Sequence, residues 1–406
     1  MKKEIKIVIG ANFGDEGKGL ITDYFCHQLL VAGHDVLNIR HNGGAQAAHN
    51  VVTPDGKQHV FSNFGAGSFN PNLATYLAGE FILNPILFCR EWDELEKLGV
   101  NPKVYINKNC RITTPYDMML NQILERHRGD NRHGSCGIGI NETIERYNSF
   151  HANVFGCNTT ATDIRKRLFS DGLGSYKNEL HMLVTWYIPI RLSALGVTLT
   201  KEEHELFENQ TIMDNFLTQV QEMMSRCVVV DDTIIRNYSG LVFEGAQGLL
   251  LDTDYLVFAP HLTSSKTGSY NPKKILLEND LQNEDIEFCY VTRSYFTRHG
   301  FGPFPTECDK KELFGMDVEE KYNHENEFQG KFRFGYFDTS RFSCAFHADL
   351  AYMLDSFPNS DGVIAMTHLD KTDDMIFASD GKIPARNLEH LKYVSYGETR
   401  DCVKIK

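Results

Sequence analysis

Gly10-Ala11-Asn12-Phe13-Gly14-Asp15-Glu16-Gly17-Lys18-Gly19 lies between an apolar run, Ile5 to Ile9, and a segment of helical period. Glycines let backbone N–H groups converge on an anion, a helix N-terminus adds positive potential, and Lys18 can reach a terminal phosphate. The spacing is not that of a Walker A loop. GxxxxGK[ST] fails at Asn12, and Gly19 stands where a hydroxyl residue would hold Mg²⁺. A plain strand-to-helix turn explains the glycines equally well. Asp15 shifts the balance, because a carboxylate inside an anion cradle is repelled by phosphate unless it binds a metal or takes a proton.

Further glycine loops follow apolar runs at Arg40 to Asn50, Glu244 to Gly248 and Thr297 to Glu307, and Val363 to Met366 leads to Thr367-His368-Leu369-Asp370. Each alone is an ordinary loop. Together, at the C-terminal ends of strands, they are what a site along the carboxyl edge of a parallel sheet requires. A carboxylate at Asp370 can accept both the N1–H and the 2-amino hydrogens of guanine, which adenine cannot supply. A helix N-cap is the competing role for the same residue, and this segment alone favours the cap.

The elements that must position these loops are legible from periodicity. Strands are expected at Ile5 to Ile9, Val36 to Ile39, Val104 to Ile106, Val228 to Val230, Leu241 to Phe243, Ile286 to Val291 and Val363 to Met366. Helices are expected at Lys18 to Leu30, Pro85 to Leu98, Tyr116 to His127, Glu203 to Cys227 and Ser343 to Leu354. The alternation predicts an α/β fold: one large domain over residues 1–406, a mainly parallel central sheet flanked by helices, and a mostly helical subdomain near 148–227.

Composition narrows the function classes. The chain has 406 residues, 42% hydrophobic and 23% charged, with a formal charge of −13. That balance argues against a general nucleic-acid binder, though not against a local pocket for one phosphate compound. No run approaches the roughly 18 to 20 apolar residues of a spanning helix, and the N-terminus has no signal-type apolar region, so a cytoplasmic protein with no membrane partner is expected. Ten cysteines without a CxxC pair fit reduced thiols.

In this order the segments resemble adenylosuccinate synthetase. The resemblance is carried by GDEGKG at Gly14 to Gly19, GG-x-x-A-x-H at Gly43 to His49, GIG at Gly137 to Gly139, FEGAQG-x-LLD at Phe243 to Asp252 and TSS at Thr263 to Ser265. TR-x-G-x-GPFPTE at Thr297 to Glu307, G-x-FD at Gly335 to Asp338, T-x-LD at Thr367 to Asp370 and S-x-G-x-x-R at Ser395 to Arg400 extend it over nearly the whole chain.

The resemblance implies a P-loop-like, GTPase-related architecture and a ligase. With GTP and Mg²⁺ such an enzyme phosphorylates the 6-oxygen of IMP, and the amine of aspartate then displaces the phosphate. It implies that Asp15 takes the N1 proton and binds Mg²⁺, with the Gly44 backbone completing the metal shell. GTP would be held by Gly14, Glu16, Gly17, Lys18, Gly19, Asp370, Ser395 and Gly397, and the purine nucleotide by Ser135, Gln247, Thr263 and Arg298. Lys331 and Arg333 would meet the amino-acid carboxylate. A homodimer sharing an arginine across its interface is implied too, with Arg146 the nearest candidate.

Several positions depart from the family's pattern. Ala45 stands where the family has its catalytic histidine, and a methyl group cannot donate a proton. His49 and His41 are the candidates for that role, each with a structural alternative. Gln46 and Ala48 replace Asn and Gly. After Glu325-Asn326-Glu327-Phe328 the substrate-gripping loop is shorter and lacks a Thr pair, and Lys331 is no substitute for Arg in a bidentate clamp. His368 replaces a lysine that covers the guanine face, and His133-Gly134-Ser135-Cys136 replaces a Thr-rich turn. The leading expectation is therefore a ligase joining aspartate to C6 of a purine nucleotide. A phage-type variant acting on dGMP stands second, and a nucleotide-binding sensor without turnover is the alternative from another class.

Overall fold

The computed structural model describes residues 2–315 and 330–406. Ten strands, numbered in chain order, form its main sheet: β1 (Glu4–Gly10), β2 (Val36–Arg40), β3 (Ala74–Leu77), β4 (Lys103–Asn107), β5 (Val228–Val230), β6 (Gly240–Gly248), β7 (Asp285–Arg293), β8 (Asp361–Thr367), β9 (Leu391–Ser395) and β10 (Val403–Ile405). Their spatial order is β10-β9-β8-β7-β1-β6-β2-β3-β4-β5. All neighbours are parallel except the edge pair β9 and β10. The fold is thus α/β with a mainly parallel sheet, as the alternating pattern predicts.

β1 sits at the centre, between β6 and β7. Ile5, Ile7, Val8 and Ile9 are wholly buried, the near-continuous apolar run of a strand covered on both faces. One apolar cluster, containing Ile7 and Phe243, lies on one face, and another, containing Val8, Phe25 and Val242, lies on the other. All seven expected strands are present. The other three, β3, β9 and β10, lacked a long enough apolar run to stand out.

Local signals account for the helix starts. α1 (Lys18–Val31) opens from Gly17, whose φ of 95° suits only a residue without a side chain, and no side chain caps it. α2 (Pro85–Lys97) is capped by Asn84, which accepts from Leu87, with Pro85 in the first turn. α3 (Pro115–Arg128) begins with a reciprocal Thr114/Asp117 capping box. The single helix expected from Glu203 to Cys227 is instead two, Lys201–Glu208 and Gln210–Arg226. Asn209 leaves helical geometry and caps the second through its side chain, which the apolar spacing does not reveal. Helices between Phe150 and Arg226 pack on a third apolar cluster that also takes in Phe88, Trp92 and Tyr116 of the sheet-flanking helices. No helix among the described residues is long and apolar enough to cross a membrane.

Candidate active site

The carboxyl edge of the sheet opens into a cavity of about 890 Å³ whose wall includes the 13–20 loop, the 46–50 segment, Gln247, Arg298 and Asp370. Gly14, Asp15 and Gly17 all have positive φ, so three residues of left-handed backbone bend the loop along the cavity wall. Because Gly17 offers no side chain, the first-turn amides of α1 are left for an anion. Asp15 is held from two sides: Arg293 Nε donates to its backbone oxygen at 2.5 Å, and His299 Nε2 lies 3.6 Å from its carboxylate.

Glu16 behaves differently from its expected ligand role. Its carboxylate turns inward, accepting from the amides of Asn12 (3.0 Å) and Gly14 (2.9 Å) and from Lys18 Nζ (2.7 Å). Gly10 and Gly248 make room for it, since a Cβ on either would stand 2.7 Å from a Glu16 carboxylate oxygen. The side chain therefore braces the loop and pre-positions Lys18, leaving only the backbone of Glu16 to a phosphate.

At the purine side, Arg298 is buried and has no carboxylate partner among its described contacts. It donates to the carbonyls of Pro303 (2.6 Å) and His261 (3.1 Å) and lies over the Phe13 ring at 4.5 Å. Burial, with Arg333 nearby, pulls its pKa down to about 10, so an anion that restores the favoured charge is drawn to it. A Cβ at Gly302 would fall 1.8 Å from the Arg298 guanidinium and 2.8 Å from His261 Cβ, so a side chain there would displace the arginine from this seat. Gln247 Oε1 is buried without a partner among the described residues, Thr263 lines the wall, and Ser135 presents a hydroxyl fixed by Asn121 at 2.9 Å.

Four expected ligand residues do not reach the cavity. Gly44 is buried against Ile82, with its carbonyl accepting from the Ala47 amide at 3.2 Å, and is not on the cavity wall. Ser395 is buried, and its hydroxyl donates to the Gly397 carbonyl at 2.8 Å; it shapes the turn that brings Gly397 to the wall. Lys331 is exposed, and Arg333 pairs with Glu307 (2.7 Å) behind the Gly300 to Gly302 turn. The departure noted at Glu325 to Phe328 lies outside the described residues. Asp370 does line the cavity, exposed on a one-turn helix that is anchored by the buried Leu369, and lies 3.3 Å from Lys371.

Arg146 is corrected outright. It is buried and saturated: two bonds to Asp117 (2.9 and 2.8 Å), one to the Ile112 carbonyl at 2.7 Å and one to the Cys157 carbonyl at 2.5 Å. Such a group ties α4 (Ile140–Asn148) to α3 and is not free to enter another subunit's site. His41 is likewise excluded as a proton donor. It is wholly buried and not on the cavity wall, and burial beside Arg40 holds its pKa near 3, leaving it neutral. His49, by contrast, lies on the cavity wall.

Residues that motif reading missed also line the cavity: Arg293, Asn121, Arg128 and His261. Arg293 ends β7, and its place at a strand's carboxyl end was the one available signal. His368 lines the wall with φ 62°, and burial beside Arg293 pushes its pKa well below the usual imidazole range, so it offers a neutral ring.

Comparison with known proteins follows the same lines. A family model described as adenylosuccinate synthetase matches residues 7–354. The adenylosuccinate synthetase of Acaryochloris marina is 31% identical over 307 residues, 74% of this chain and 62% of that protein. That of Chlorobium chlorochromatii is 28% identical over 313 residues, 76% of this chain and 66% of its own length. The chain thus spans less than two thirds of either relative. A fully ligated adenylosuccinate synthetase from Plasmodium falciparum superposes with a TM-score of 0.68 at 16% identity, covering 99% of this chain and 100% of the other. The succinoaminodeoxyadenylate synthetase of cyanophage S-2L, bound to dGMP and to dATP as an energy donor, gives 0.60 at 16% identity, covering 100% and 96%. At that identity both show a shared fold.

Proposed function

The chain belongs to the adenylosuccinate synthetase family, and we propose that it is a ligase joining aspartate to C6 of a 6-oxopurine nucleotide at the cost of a nucleoside triphosphate. The observation that carries this reading is the loop itself. Asp15, held in left-handed backbone by Arg293, opens onto the same cavity as Lys18, Gln247, Arg298 and Asp370. Asp15 takes the N1 proton of the purine, so that the 6-oxygen can attack the γ-phosphorus. The first-turn amides of α1 and Lys18 hold the phosphates in line, and positioning with charge neutralisation supplies most of such a transfer. Asp370, with Gly397, reads the guanine of GTP, and the neutral His368 ring covers it. Gln247, Thr263, Ser135 and Arg298 hold the purine nucleotide.

The residues present fit Mg²⁺. Asp15 places one carboxylate on the wall beside open amides, and Mg²⁺ needs only one or two carboxylates because it shares phosphate oxygens and keeps its waters. Among the described residues no group of three or more His, Cys, Asp or Glu side chains could cage a metal unaided. When bound, the ion neutralises charge on the transferring phosphoryl group.

The test is phosphate release from purified protein with aspartate, Mg²⁺, either GTP or ATP, and a panel of IMP, GMP and dGMP. Turnover with IMP and GTP, lost by a factor on the order of 10³ in Asp15→Ala, is expected. Inertness toward every nucleotide would sink the reading and leave a binding protein. Preference for dGMP would place the chain with the phage-type chemistry for which its S-2L structural neighbour is named.

A further inference from the structure

His49 opens the short strand His49–Val52, which lies against the start of α1. A Cβ on Gly19 would stand 3.1 Å from His49 Cβ and 3.0 Å from the Asn50 carbonyl, so the glycine of the phosphate loop is what admits this strand. The imidazole is buried but borders the cavity. Its Nδ1 is 2.5 Å from Glu244 Oε1, and its Nε2 is 3.3 Å from the Ala246 carbonyl. Both partners only accept, so the ring satisfies both contacts only as the doubly protonated cation.

Glu244 is fixed in turn. It is wholly buried in β6, its other oxygen accepts from the Ala66 amide at 3.0 Å, and the buried Arg40 at the end of β2 acts on it electrostatically. Its carboxyl is thereby held down to about 2 and stays ionised. Arg40 itself is anchored on the carbonyls of Ser62 (3.1 Å) and Phe64 (2.9 Å).

We propose that His49 is the proton donor of the reaction and that Glu244, backed by Arg40, is the residue that positions it. The inference rests on the ligase reading above and assigns the step that Ala45 cannot perform. As the amine of the amino acid bonds to C6, the C6–O bond breaks and the phosphate leaves with its electron pair. The Nε2 proton passes to the departing phosphate oxygen, and the proton shed by the attacking amine restores the imidazolium. Nδ1–H stays on Glu244 throughout, so one nitrogen alone faces the chemistry. Burial, helped by Arg40 and Lys18, pulls the imidazole's pKa below its ordinary value, and Glu244, which faces the ring and favours the imidazolium, opposes that fall. Glu244 therefore sets the pH range over which the donor is loaded.

Steady-state kinetics of the full chain across pH test this, with nucleotide affinity measured by calorimetry on each variant. His49→Asn is expected to lower kcat by about 10²- to 10⁴-fold while KM for both nucleotides stays within a few-fold. Glu244→Gln is expected to shift the alkaline limb of the kcat profile to lower pH, and Glu244→Asp to restore part of that shift. A His49→Asn variant that binds nucleotide and keeps kcat within about threefold would overturn the proposal, as would an unmoved pH limb in Glu244→Gln. Should His49→Asn not bind nucleotide, the Glu244→Asp profile decides by the same criterion. Inertness of the wild-type chain in these assays is a separate result that refutes the ligase reading.

Discussion

Arg146 and Arg298 are both buried arginines, yet they are built to opposite plans. Arg146 has a bidentate carboxylate and two carbonyls, so nothing remains for a ligand. Arg298 has two carbonyls and an aromatic face, its Nε is unpartnered, and its charge is uncompensated by any neighbouring acid the geometry shows. A closed cluster holds helices together, whereas an open one waits for an anion. The His49 and Glu244 pair combines the two, being closed at Nδ1 on Glu244 while Nε2 meets the Ala246 carbonyl in the cavity wall.

The largest test of that contrast is Arg146→Ala. It leaves Asp117 buried without its partner and is expected to cost about 3–5 kcal/mol in chemical denaturation, because breaking a buried pair strands a charge. A fall in nucleotide affinity at unchanged stability would instead show Arg146 to be a ligand residue. Arg298→Met should do the reverse: unfolding midpoints near wild type, and KM for the purine nucleotide raised about 10- to 100-fold, the value of a charge-assisted hydrogen bond.

The hybrid pair has a signature in acid. Because the folded-state pKa of Glu244 is depressed to about 2, its contribution is present above the ordinary glutamate value of about 4.3 and is lost as pH falls from there toward 2. Glu244→Gln should flatten the stability curve in that window and leave it unchanged near neutrality in shape. The smallest effect is expected from Ser135→Ala. The hydroxyl already exchanges bonds with Asn121, so its loss should weaken nucleotide binding by only about 0.5–1.5 kcal/mol by calorimetry.

Much of the fold was readable in sequence because its signals are local. Parallel strands buried on both faces appear as runs such as Ile5 to Ile9, and the break at Asn209 was missed because capping competes with periodicity at a single residue. The loops of the site were readable as motifs. Side-chain direction was not: Glu16 belongs to the phosphate-loop motif yet spends its carboxylate on the loop's own amides and Lys18, and Ser395 belongs to a recognised segment yet spends its hydroxyl on Gly397.

The residue types of the Gly14 to Gly19 loop, with a carboxylate among glycines ahead of a helix, determined by themselves that phosphate chemistry is the economical reading. Tertiary structure alone decided which charges are free to take part. Arg146 meets Asp117 across 29 residues and His49 meets Glu244 across 195. Whether a buried charge is compensated depends on groups brought within about 3 Å of it by the sheet order, and no local pattern carries that information.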